Sequence, residues 1–126
     1  MRMIHAVVGI IKKEDKILIS KRPSDKSYAG YWEFPGGKIE AHETAEVALK
    51  RELREELGIE LEFAIPLLDY LYDYPDYRLQ LAVWKVNHYL GEPYEKEGQN
   101  LLWVLSSELS RYQFLPASVE LLKNLS

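Results

Sequence analysis

Three glutamates crowd one face of a short segment in the middle of this chain, and that crowding limits what the chain can fold into. The segment runs from Gly37-Lys38-Ile39-Glu40 to Leu57-Gly58-Ile59, with Arg51-Glu52-Leu53-Arg54-Glu55-Glu56 at its centre. Thr44 suits a helix N-cap, Glu46 puts negative charge in the first turn, and Gly58 suits the C′ position. The residues between lack proline and are rich in Ala, Leu, Glu, Lys and Arg, which predicts a helix over residues 44–57. At about 100° per residue, Glu52, Glu55 and Glu56 share a face that carries Ala45, Ala48 and Leu49 two turns earlier. A stripe that begins as core therefore turns acidic halfway along.

Like charges at i, i+3 and i+4 each destabilise a helix by roughly 0.2–0.5 kcal/mol, and burying them unpaired costs far more. A solvated face with intrahelical ion pairs is one way out. The other is a hard divalent cation, since magnesium shares its shell between carboxylates and substrate phosphates. The spacing selects the second. The chain matches Gly-x5-Glu-x7-Arg-Glu-(apolar)-x-Glu-Glu-x-Gly-(apolar) through Gly37, Glu43, Arg51, Glu52, Leu53, Glu55, Glu56, Gly58 and Ile59. At ordinary residue frequencies a chance match is on the order of one in a billion. Before it, Pro35-Gly36-Gly37 reads as a turn with free backbone amides.

The rest of the chain suits a single domain over residues 1–126. Residues 3–11 are an apolar run that predicts a buried strand, too short to cross a bilayer and without a leader's cleavage site. A polar turn at 12–16 and Ile17-Leu18-Ile19-Ser20 complete a hairpin. Lys21-Arg22-Pro23-Ser24-Asp25-Lys26 is a basic loop, in which Arg22 has the planar fork that suits phosphate. Tyr31, Trp32 and Phe34 are either packing or a base platform. Extended structure follows over 61–74, a turn at Pro75-Asp76, and a paired strand over 78–86. A long loop at 91–100, a strand at 101–104, one helical turn at 106–109 and an amphipathic helix from 117 to 125 end the chain. Strands and helices in this order predict an α/β fold, a mixed sheet between helices. The absence of cysteine excludes disulfides and thiolate metal sites and suits a reducing, cytoplasmic setting. A net charge of −4 argues against binding a nucleic acid polymer, though not against one phosphorylated ligand in a local basic pocket. Nothing in the sequence calls for a membrane or an obligate protein partner.

The fixed spacing is the signature of the Nudix hydrolases. Beyond it, the chain resembles the MutT-type branch from end to end. Ala6-Val7-Val8-Gly9-Ile10-Ile11, Lys21-Arg22, Trp32 to Glu40, Gly91-Glu92-Pro93, Lys96-Glu97-Gly98-Gln99 and Phe114-Leu115-Pro116-Ala117 carry the likeness. The resemblance implies a Nudix α/β/α sandwich. It also implies a pyrophosphohydrolase that splits a nucleoside triphosphate into monophosphate and pyrophosphate, with 8-oxo-dGTP as the substrate cleared from the nucleotide pool. The same branch holds pyrophosphatases of CTP and modified dCTP, and a non-catalytic nucleotide sensor is a more distant reading. By the same analogy Glu52, Glu55, Glu56 and Glu97, with a carbonyl at Gly36 or Gly37, would hold Mg²⁺ or Mn²⁺. Glu52 would act as general base with Glu55 beside it, Arg51 would orient a glutamate, and Arg22 and Lys38 would meet phosphates. Phe34, Asp76 and Ser118 would face the base. At Ser118 the 8-oxoguanine enzymes carry an asparagine that reads the oxidised base, so this chain departs from them there.

Overall fold

The structure, a computed structural model, describes residues 2–125. Strands β1 (Arg2–Lys13) and β2 (Lys16–Lys21) form the predicted hairpin, and Glu14 takes a positive φ of 59° to make its tight turn. After β3 (Trp32–Glu33) and β4 (Gly36–Lys38) comes helix α1 (Ala45–Leu57). A second hairpin follows, β5 (Glu60–Asp73) and β6 (Tyr77–Leu90), turning at Pro75-Asp76 as expected. Both of its strands are 14 residues long, so β6 runs past the predicted end at Val86 through His88. β1 lies parallel to β6 from Arg2 opposite Tyr77 to Ile11 opposite Val86. The last strand, β7 (Leu101–Leu105), pairs with β2. The result is a mixed sheet ordered β3-β2-β1-β6-β5, with β4 added to β1 and β7 to β2.

Helix α1 starts and stops where its caps direct. The Thr44 hydroxyl accepts from the Val47 amide at 3.2 Å, and Gly58, at φ 68°, returns its N–H to Arg54 O. Its inner face buries Ala48, Leu49, Leu53 and Leu57 against Val7, Ile11, Leu61 and Val86 of the sheet. The opposite sheet face, with Ile10, Ile19, Leu81 and Val83, is covered by Leu109, Phe114 and Leu121. These come from a 3₁₀ turn (Ser106–Arg111), the segment after it, and helix α2 (Pro116–Leu122). The sheet is therefore enclosed between helices, as the predicted sandwich requires. α2 stops short of the expected end at 125, because the Asn124 and Leu125 amides tighten onto Leu121 O and Leu122 O. No helix among the described residues is long and apolar enough to cross a membrane.

One local expectation is corrected. Gly36 and Gly37 do not make a turn. They pair with Val8 and Val7 as part of β4. Gly36 has φ 152°, and a Cβ there would sit 2.0 Å from the Val7 carbonyl oxygen. The glycine is needed for close approach of two backbones, a use that local turn chemistry does not reveal.

Candidate active site

The acidic stripe of α1 faces β4. A Cβ on Gly37 would lie 2.5 Å from the carboxyl carbon of Glu52, so the missing side chain is what makes room for that carboxylate. The Gly36 amide donates to Glu56 Oε1 at 3.1 Å. Arg51 spreads its fork behind them. Nε and Nη2 donate to the two Glu43 oxygens at 2.7 and 2.9 Å, Nη1 to Glu52 at 2.8 Å and Glu55 at 3.1 Å, and Nη2 to Lys38 O at 3.0 Å. With its donors committed in this way, Arg51 ties Glu43, Glu52 and Glu55 together.

Glu43, to which the sequence reading gave no role, anchors that arginine. The Arg51 hydrogen bonds, with one from the Glu40 amide, lower its carboxyl to about 2 from 4.5. A carboxyl depressed in the fold contributes stability that is complete above its unfolded value and is lost as pH falls through the folded one. Glu43→Gln is therefore expected to lower the melting temperature at neutral pH and to flatten the loss of stability between pH 4.5 and about 2. Melting curves of both proteins across that range check it; parallel curves would show that the Glu43–Arg51 pair does not support the fold.

Glu97 reaches the site from a distant loop, and the end of α1 explains how. The last carbonyls of a helix lack intrahelical partners. Here the Tyr94 amide donates to Leu57 O at 3.1 Å, Lys96 Nζ to Arg54 O at 3.3 Å and Gln99 Nε2 to Glu56 O at 2.9 Å. Gln99 Oε1 also accepts the Glu97 amide at 3.0 Å. Glu97 thus lines one polar cavity of about 300 Å³ with Glu33, Glu56, Lys21 and Lys26.

The electrostatics follow. Burial pushes Glu56 up to about 9, against its hydrogen bond from Gly36, and the charges of Glu52, Glu33 and Glu97 push the same way. Burial also raises Glu52, with Arg51 opposing and Glu55 and Glu97 adding to the rise. Clustered carboxyl oxygens that repel one another, beside a cradle that a single Cβ would fill, suit a hard cation. Among the described residues no three of these carboxylates converge tightly enough to hold an ion as they stand. Glu55 is the most exposed of the three: its side chain is 50% exposed and, like Glu52, it accepts from Arg51 Nη1.

Across β4 lies a second cavity of about 200 Å³ with an apolar wall from Ala6, Val8, Leu79 and Leu81. Ser118 lines it and is buried, its own amide held by Leu115 O at 2.8 Å. Phe34 lines it too while stacking on Phe114 at 5.2 Å, so it is packing and cavity wall at once. Arg22, Glu33 and Lys38 stand at its polar side. Arg22 points Nε and Nη2 at Ser27 O, both at 3.2 Å, and Nη1 at Glu33 at 3.4 Å. Asp76 is exposed on the hairpin turn and is not part of the lining; its neighbours Tyr74 and Tyr77 are. The Tyr74 amide closes the turn on Tyr77 O at 2.9 Å and the two rings stack at 5.0 Å, which leaves Asp76 at the tip. Glu33, Gln99, Tyr74 and Tyr77 carried no functional reading in the sequence. Glu33 and Gln99 lie inside segments that carry the family likeness, which was the available signal, whereas the tyrosines had none beyond aromatic content.

Comparison with known proteins agrees with this geometry. The family model described as NUDIX domain matches residues 6–124. A CTP pyrophosphohydrolase of Escherichia coli (strain K12) is 38% identical over 123 residues, 98% of this chain and 91% of that one. An 8-oxo-dGTP diphosphatase of Haemophilus influenzae is 38% identical over 125 residues, covering 98% and 92%. The crystal structure of a MutT NUDIX hydrolase from Burkholderia pseudomallei superposes with a TM-score of 0.89 at 28% identity, over 100% of both chains.

Proposed function

The chain belongs to the NUDIX domain family, as a hydrolase of the MutT type, and from that premise we propose that it cleaves nucleoside triphosphates into monophosphate and pyrophosphate, 8-oxo-dGTP foremost. The carrying observation is that an apolar cavity and a carboxylate cluster lie on either side of the short strand β4 and share Glu33 in their linings. A base in the first would bring its phosphates towards Arg22, Lys38 and the carboxylates. The work belongs to the cytoplasmic nucleotide pool.

Glu52, Glu56 and Glu97 would hold Mg²⁺, or Mn²⁺ in its place, with Glu55 at the rim. A divalent cation there supplies neutralisation of phosphate charge and a more acidic bound water. Glu52 takes the proton of the attacking water, and its raised carboxyl is closer to the operating pH than a free one. The new bond is from water oxygen to phosphorus, and the broken one is the phosphoanhydride bond to the departing pyrophosphate. Arg51 keeps Glu52 aimed at β4. Arg22 and Lys38 bind and orient the phosphate chain, which lowers the entropy cost of in-line attack.

Ser118 sets the strength of base selection. 8-Oxoguanine offers a donor at N7 beside the O6 acceptor, which an asparagine amide can meet together and a serine hydroxyl meets less fully. A bidentate base contact gives about 1–3 kcal/mol of discrimination and a single neutral hydrogen bond about 0.5–1.5 kcal/mol. 8-Oxo-dGTP is expected to be favoured over dGTP, and Ser118→Asn to raise the ratio of kcat/KM values roughly tenfold. An unchanged or lower ratio would remove Ser118 from the base edge. The same serine, with the likeness to a CTP pyrophosphohydrolase, favours a second reading in which the base is a cytosine. Pyrophosphate release measured over the standard triphosphates, 8-oxo-dGTP and 5-methyl-dCTP separates the two. The fastest turnover is expected for 8-oxo-dGTP; a cytidine nucleotide in first place installs the second reading, and no release from any of them defeats both.

A further inference from the structure

The first turn of α2 carries Ser118, and the sequence around it gives that turn no cap of its own. Leu115, at the N-cap, makes no side-chain bond, and Pro116 at N1 has no N–H. Ser118 and Val119 amides return to Leu115 O at 2.8 and 3.2 Å. The remaining amide, that of Ala117, would be an orphan in a buried place. It is met from another element altogether: Ala117 N–H donates to the Tyr74 hydroxyl at 3.1 Å. The other side of the same residue is held likewise, since the Tyr70 hydroxyl donates to Ala117 O at 2.5 Å. Both polar groups of one residue, next in sequence to Ser118, are thus gripped by the end of the β5–β6 hairpin, 47 and 43 residues away.

The grip is rigid. Tyr74 is buried and wedged among aromatic rings, with Tyr72 at 4.9 Å, Tyr77 at 5.0 Å and Tyr28 at 5.8 Å between centroids. It lines the apolar cavity opposite β4, as Ser118 does. Burial raises its hydroxyl to about 12, so it stays protonated, and its oxygen accepts the Ala117 amide. We infer that Tyr70 and Tyr74 are positioning residues for base selection: their hydroxyls clamp Ala117 and so fix the place of the Ser118 side chain in the cavity. This rests on the base-cavity reading above. The hairpin tip and the base-reading helix then form one unit, and a loosened clamp lets α2 shift while the carboxylate site across β4 stays as it was.

Tyr74→Phe and Tyr70→Phe remove one hydroxyl each and keep the ring. For each we expect the ratio of kcat/KM for the preferred base over its close analogue to fall roughly threefold to tenfold, the effect of about one hydrogen bond. The change should appear in KM, with kcat and Mn²⁺ affinity held, and the Ala117 amide should exchange faster with solvent in Tyr74→Phe. A purely structural tyrosine would lower the melting temperature and leave the ratio alone; that result, in variants that fold, overturns the inference. So does an unchanged Ala117 exchange rate. If the wild type itself shows no base preference, the base-cavity reading fails and the inference with it, an outcome distinct from a wild-type preference that both variants keep. Should Tyr74→Phe fail to fold, Tyr70→Phe gives the same decision through the ratio.

Discussion

Glu56→Gln and Glu52→Gln are each expected to lower kcat by at least roughly 10²-fold, as loss of a catalytic acid–base or electrostatic group does. Chelation of divalent cations should abolish turnover in the wild type. The fold should survive both changes. Glutamine keeps an oxygen that can accept the Gly36 amide in place of Glu56 Oε1, and at position 52 it keeps an acceptor for Arg51. Removing a carboxyl that burial and three like charges disfavour costs the metal-free protein little. Glu55→Gln should lose less, because that side chain is half exposed and engages only Arg51. Steady-state kinetics with melting curves on the three variants test this order. Glu56→Gln that melts like wild type and keeps most of its turnover would put the chemistry elsewhere.

The adjacent glycines of β4 should fail in opposite ways when changed to alanine. At Gly36 the new Cβ would meet backbone, Val7 O at 2.0 Å and Val8 Cα at 2.7 Å, in a residue at φ 152°. Strands β1 and β4 would have to part, so Gly36→Ala is expected to lose at least about 4 kcal/mol, at the severe end for single substitutions. At Gly37 the backbone can take a side chain, and the nearest atoms the new Cβ would meet are the movable end of Glu52, 2.5 Å from its carboxyl carbon. Gly37→Ala should therefore fold with nearly unchanged stability and lose roughly 10²-fold in turnover, since displacement of a catalytic group by about 1 Å is enough for that. Denaturant midpoints and pyrophosphate release, measured on both, separate the cases. A stable Gly36→Ala or a fully active Gly37→Ala would contradict the packing of β4 described above.

What the sequence by itself determined is what depends on neighbours a few residues apart. Thr44, Glu46 and Gly58 bound α1, the i, i+3, i+4 spacing put Glu52, Glu55 and Glu56 on one stripe, and apolar or extended runs on either side of a turn marked both hairpins. The family followed from the same spacing, matched over residues 6–124. Tertiary structure alone decided which members of that stripe face inward. Glu52 and Glu56 meet β4 because Gly36 and Gly37 pair with Val8 and Val7, and Glu55, one position off the contact line, is left to Arg51 and solvent. It also brought Glu97 to α1 through the helix's last carbonyls, turned Tyr74 and Tyr77 to the cavity while leaving Asp76 at the tip, and joined Tyr70 to Ala117. Each of these is a contact between segments far apart in the chain. Their positions follow from strand register and close backbone approach, and a one-residue slip in either would exchange the buried set for the exposed one.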